Sequence, residues 1–218
     1  MGQLTLFAIG ITEVRDMFGA SPDLADRLRV VAEDRFRVPT TARHGRGSLL
    51  NRVGPVLKRP VDPPRAPARP TGQDVEILLA GHSVPPDRLG FAWQIAMAWL
   101  DDLSWGRTDL DADARTMSSI EFDLATAGLP SRLSIERLMQ GSPQLPLPTM
   151  TGQVFGYAKH EQAEATRQAL TAVIGDVGQA SAPFAGAVLE FLNHYPEWTI
   201  RAGDARRPDP DLVVSWFA

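Results

Sequence analysis

Cysteine is absent from the 218 residues. That excludes disulfides, cysteine nucleophiles and thiolate metal sites, and it suits a reducing cytoplasm. The signatures of phosphate cradles and nucleophile elbows are missing too: there is no GxSxG, no GxxxxGK[ST] and no strand–GxGxxG–helix. The histidines, His44, His82, His160 and His194, lie on four separate segments without HxH or HExxH spacing. The expectation is therefore no metal and no cofactor. No basic residue precedes the short apolar run of the N-terminus and no small-residue cleavage pattern follows it, so no signal peptide is expected. The myristoylation pattern is missed as well, because the threonine is at position 5 and position 6, which would need Ser or Thr, is Leu6. No internal repeat is present.

Against these absences stands one apolar stretch, LGFAWQIAMAWLDDL at 89–103. Between 89 and 100 only Gln94 is plainly polar, and Asp101-Asp102 closes the run before it could span a bilayer. A segment that is apolar nearly all round must be covered by neighbours, so it reads as a central helix.

The chain in order gives a strand over 4–9 (LTLFAI), then a short helix opened by Thr12 and Glu13. Ser21 as N-cap with Pro22 at the first helical position starts a second helix, inward through Leu24, Leu28, Val31 and Phe36. Gly72 begins a short helix with Val75, Leu78 and Leu79 inward. After the central helix, Ser104-Trp105-Gly106 reads as a turn, and 109–127 as a helix inward through Met117, Ile120, Phe122 and Leu124. Ser131 or Ser134 caps a brief helix through Met139. VFGY at 154–157 is a candidate strand, 159–174 an amphipathic helix, and Ser181-Ala182-Pro183 opens the last long helix, which buries Phe184, Val188, Leu189, Phe191 and Leu192. LVVSWF at 212–217 reads as a closing strand. Neither terminal strand can stand alone, so their pairing is expected, with the segment of Tyr157 as a third strand. The expected class is α+β, mostly helical, in one domain.

Charge is unevenly spread. Eight of the 22 Lys and Arg fall within 37–72, against one of the 26 Asp and Glu. A basic arm on an acidic body is the clearest electrostatic feature. Prolines at 39, 55, 60, 63, 64, 67 and 70 forbid a long helix or a central strand there, so 38–71 reads as a basic, proline-rich crossing loop. SLLNRVGPVL at 48–57 is its one part apolar enough to pack. Gly45-Arg46-Gly47-Ser48 is the nearest approach to an anion cradle, and a basic loop is the plainer account.

The order of strand, helices, GY with a helix just after it, and a closing apolar strand resembles the bacterial YfbM-like domains of unknown function and their actinobacterial relatives. The residues that carry it are LTLFAIGITEVRDMFG, LPLPTMTGQVFGYAKHEQAEATRQAL and LVVSWF, which spread over most of the chain outside 38–71. Ala158-Lys159-His160-Glu161 stands where those domains tend to have a proline- and threonine-rich opening. The resemblance implies a fold and no established activity, and so no catalytic residue.

Functional candidates fall in two groups. His82, Asp101, Asp102, Trp105, Arg107 and Tyr157 could wall a cleft beside the central helix, as an enzyme or ligand-binding domain would need. Adjacent carboxylates point to different sides of a helix, so Asp101 and Asp102 are no natural acid–base pair by themselves. Arg43, Arg46, Arg52, Lys58, Arg59, Arg65 and Arg69 could engage a partner. Nucleic acid is disfavoured by the acidic body and by the lack of interleaved aromatics. The leading expectation is a cytoplasmic, non-enzymatic protein that binds another protein, with an immunity (toxin-neutralising) role as one concrete version. The alternatives are the cleft just described and nonspecific nucleic-acid binding through the loop.

Overall fold

A computed structural model describes residues 2–37 and 68–218. The arm residues 43, 46, 52, 58, 59 and 65, and the apolar piece at 48–57, lie outside them. Four strands form one antiparallel sheet: β1 (Gln3–Ala8), β2 (Arg107–Asp111), β3 (Gln153–Ala158) and β4 (Leu212–Phe217), in the order β2-β1-β4-β3. The two ends of the chain pair in the middle, Leu6 opposite Val214 and Ala8 opposite Leu212, and β3 adds to the far side of β4. This is the α+β arrangement expected from the two apolar ends.

Alternation along the strands divides the core in two. Leu4, Leu6, Ala8, Leu212 and Val214 face a layer built from α5 (Ala114–Thr126), α6 (Ile135–Leu138), α7 (His160–Val173), α8 (Ala182–Asn193) and α9 (Tyr195–Asp204). Phe7, Val213 and Phe155 face the other layer, of α1 (Ile11–Asp16), α2 (Pro22–Phe36), α3 (Gly72–Leu79) and α4 (Leu89–Leu103). The long apolar helix is α4. Its Trp99 is buried and donates its indole N–H to the Leu28 carbonyl at 2.8 Å, locking α4 to α2, while Trp93 packs on Phe155 with ring centroids 4.8 Å apart. Cover is not complete, however: Gln94 is exposed, and Met97 and Ala98 are only half-buried, so one stripe of α4 stays open.

Three sequence expectations change. Residues 107–111 form β2 instead of joining the next helix, which begins at Ala114 behind Asp113, whose carboxylate accepts from the Thr116 N–H at 2.9 Å. RTDLD is too polar to read as a strand because β2 is an edge strand with only one neighbour. Phe122 is 70% exposed, not inward, since Met117, Ile120 and Leu124 already fill that face of α5. The last long helix, α8, is followed by a further one, α9, which buries Tyr195, Trp198 and Ala202. Trp198 therefore belongs to the core, and Trp216 is tied inward by its indole bond to the Ala112 carbonyl at 2.7 Å.

Asp211 stands at the threshold of β4, nearly buried, and holds three elements together. Its carboxylate accepts the Ile11 N–H (2.9 Å) that opens α1 and the His160 N–H (3.0 Å) that opens α7, and Lys159 Nζ lies 3.2 Å away. Helix N-termini leave such donors without intrahelical partners, and a carboxylate there also meets the positive end of the helix dipole. Removing it orphans two buried N–H groups. Asp211→Ala should lower unfolding free energy by roughly 3 kcal/mol, with Asp211→Asn intermediate, as read from urea denaturation followed by circular dichroism.

Candidate functional site

The open stripe of α4 faces the sheet across a groove. Gly90, Trp93, Gln94, Met97 and Ala98 form one wall. The other is built where three strands end level: Gln3, Phe217 and Gln153 are direct neighbours across β1, β4 and β3 and so share one face. Met150 closes one end, and Arg35, Phe36 and Arg107 stand around the other. The groove is open to solvent and offers about 460 Å³, within the range of small-molecule sites.

Gln153 is the informative polar group. It is only 7% exposed, and its Oε1 accepts the Met150 N–H at 3.0 Å. Turning the amide over would set Nε2 against that donor, so the orientation is fixed by the backbone. Nε2 then has no hydrogen-bond partner among the described residues, an unusual state for a buried donor. The atom itself is covered, so an acceptor in the groove would satisfy it once the side chain turns outward.

The approach of α4 to this groove is set by Arg88. Its guanidinium grips Asp74 at 2.9 Å and 2.5 Å and lies over the Phe91 ring, 4.3 Å from the centroid. Asp74 in turn closes the first turn of α3 with Thr71, accepting its backbone N–H at 2.8 Å and its hydroxyl at 2.7 Å. The pair thus pins the start of α4 to the start of α3.

The residues proposed from sequence as one cleft are divided among several places. Asp101 and Arg107 do come together, at 3.3 Å, and Arg107 also pairs with Asp109 at 2.8 Å. Burial works against the Arg107 cation, and the bonds to Asp109 and Asp101 outweigh it, so the proton is held more firmly than usual. Asp102 pairs with Arg27 of α2 at 2.8 Å, and Asp101 also approaches Arg35 of α2 at 3.9 Å, so the two carboxylates border one recess between α2 and α4, apart from the groove's strand wall. Trp105 packs into the opposite core layer, its ring between Arg207 and Arg201 at 4.3 and 5.3 Å from the centroid. Tyr157 lies on β3, at the far edge of the sheet from Arg107 on β2, about 14 Å away at the usual strand spacing. His82 is exposed after α3 and bonds through its backbone N–H to the Ile77 carbonyl at 3.0 Å. Of the arm, Arg69 is described: it is exposed, and its carbonyl accepts from Arg88 at 3.1 Å.

Of the six, then, only Arg107 lines the groove, and Gln153, Met97, Trp93 and Phe217 were missed. Gln94, the lone polar residue in an apolar helix, was the available signal, since it marks the side of α4 that no neighbour covers among the described residues. Among the described residues no group of three or more His, Asp or Glu is placed to hold a metal ion, and no helix is long and apolar enough to cross a membrane.

The fold is thus a four-stranded antiparallel sheet between two helical layers, with a groove at one end of one face. Residues 1–217 match the family described as a domain of unknown function (DUF7691), and the chain belongs to that family. No curated protein and no solved structure matches it.

Asp74 supplies a test of how the groove is held. Its burial would raise the carboxyl's proton affinity, but hydrogen bonds from Arg88 and Thr71 reverse this and leave it below the usual carboxylate range. A depressed folded-state pKa contributes stability above the unfolded value and loses it as pH falls through the folded one. Wild type should therefore lose stability progressively below about pH 4, and Asp74→Asn should flatten that limb while costing roughly 2–4 kcal/mol at neutral pH. Urea melts of both proteins at a series of pH values check this.

Proposed function

We propose that the protein is a non-enzymatic binding protein whose groove beside α4 takes a ligand with an apolar body and a carbonyl or carboxylate group. The observation that carries the reading is the unpartnered Nε2 of Gln153 beside the apolar part of the groove, formed by Trp93, Met97, Met150 and Phe217. An apolar ligand body would gain by leaving water, and one acceptor facing Nε2 would fix its orientation. Arg107 and Arg35 at the end favour a negative group there. Asp109 and Asp101, the two acids beside Arg107, are both bound into ion pairs with it, which favours binding over acid–base turnover.

The wider reading, binding of another protein in a reducing cytoplasm, is supported by the contrast between the basic arm and the acidic remainder. An immunity-type role is one version. In it, the groove would receive an apolar side chain of the partner with a carbonyl beside it. Kinship with YfbM-like domains belongs to the same proposal, supported by the terminal strands and the helix that follows Gly156-Tyr157.

The test is a thermal-shift screen of aromatic and branched aliphatic carboxylates and their amides, followed by titration of the best binder against wild type and Gln153→Glu. The variant keeps the acceptor for Met150 N–H but replaces the free donor with a negative oxygen. Carboxylate affinity should fall at least about tenfold, and the melting temperature without ligand should fall too, since a charge enters a covered position, so affinity is compared where both proteins are fully folded. Equal affinity for both proteins, or no binder in the screen, would sink the groove reading.

A further inference from the structure

A second recess lies on the other side of β3, and its chemistry is different. It is lined by Arg132, from the turn after α5, by Arg137 on α6, by Gln140 and Gly141 in the loop that follows, and by Tyr157, Lys159 and Gln162. Among the described residues no acid lines it, although the chain carries a net charge of −4. Neither Arg132 nor Arg137 forms an ion pair among the described residues. Lys159 has Asp211 at 3.2 Å, but that carboxylate is already engaged by two helix N–H groups.

The recess is held by backbone, not by chance side-chain placement. Gly141 and Tyr157 exchange both N–H···O bonds, each 3.1 Å, an isolated bridge that fastens the loop to the outer edge of β3. A Cβ on Gly141 would run into the Tyr157 carbonyl and ring, so only glycine permits this approach. Fixed in this way, Gln140 accepts from Arg137 Nη1 at 2.5 Å through Oε1, which leaves its amide NH₂ free to donate. Gln162 bonds by Nε2 to the Arg137 carbonyl at 3.4 Å, steadying the turn that carries the guanidinium. Lys159 lies over the Tyr157 ring, 5.5 Å from its centroid.

Two arginines without a described acidic partner, a lysine whose one acid is shared with two helix N–H groups, and an amide donor thus border a space of about 460 Å³. Like charges held together cost free energy unless an anion enters, and guanidinium groups match the oxygens of phosphate or carboxylate in geometry. We infer that this recess is a binding site for a compact, doubly charged oxyanion group, either the phosphate of a monoester or a pair of carboxylates. It is independent of the groove beside α4.

Isothermal titration at fixed ionic strength decides it, with inorganic phosphate, phenyl phosphate, succinate and chloride as probes. Wild type should bind at least one of the three oxyanions saturably, one to one, and chloride not at all. A preference for phenyl phosphate would assign a phosphate monoester, and a preference for succinate a dicarboxylate. Arg132→Ala and Arg137→Ala should each weaken binding about tenfold, and the double variant should abolish it. Both arginines are exposed, so the variants should fold, which melting temperature verifies. Gln153→Glu should bind the anion as wild type does, which separates this site from the groove. Absence of saturable binding, or affinity unchanged in the double variant, would overturn the inference.

Discussion

The fold depends on closing the chain's two ends into the middle of one sheet. β1 and β4 pair along their full length, yet they lie some two hundred positions apart, so nothing local holds them in register. Asp211 supplies the missing local constraint. It immediately precedes β4, and its carboxylate takes the first N–H of α1, just after β1, and the first N–H of α7, just after β3. One side chain therefore fixes the relative position of three strand ends, and the helices leave from there on opposite faces. A one-residue slip of β4 would exchange its two faces, placing Ser215 in the layer that now receives Val214.

The groove follows from that sheet and from the composition of α4. Trp93, Ile95, Ala96, Trp99, Leu100 and Leu103 satisfy the inner face, and Trp99 spends its indole N–H on α2. What remains, Gln94 with Met97 and Ala98, is too polar or too small to demand a further layer. On the sheet side, Gln3, Phe217 and Gln153 end their strands together, so the sheet stops before the helix does. An opening between an apolar helix and a polar strand row is the geometric result. The Arg88–Asp74 pair keeps the helix from settling into it.

Much of this was legible from the amino acids, and what was not has physical reasons. Strong apolar runs placed α4 and the terminal strands, because an element with no polar face must be buried wherever it goes. The short helix at Gly72 could be read from Thr71 and Asp74, which form a capping box in fact. β2 was hidden because an edge strand with alternating charges resembles a helix start, and the Asp113 cap that ends the ambiguity competes with Asp109 and Asp111 just before it. Of the six residues expected in one cleft, only Asp101 and Arg107 pair with each other, and only Arg107 borders the groove. Asp101 and Arg107 are joined by a tight turn, so proximity in sequence carried over, whereas Trp105 lies in the turn itself, before β2 begins, and packs into the opposite layer. Tyr157 was assigned to the same wall because a third strand was foreseen without its neighbour. Once the order is β2-β1-β4-β3, two strands separate it from Arg107.

β3 then becomes the strand on which both binding readings converge. Gln153 at its start serves the groove, and Tyr157, on the same face about 13 Å further along, borders the cationic recess. Between them Gly156 faces the other layer, where even one added carbon would strike the Met139 carbonyl. The loop that shapes the recess is thus pressed against the strand that floors the groove. Damage to the backbone of β3 would impair both sites together and say nothing about either. Separating them requires changes in side chains that leave this packing alone, and the arginines of the recess and the amide of Gln153 meet that condition because none of them supports the strand's hydrogen bonds to β4.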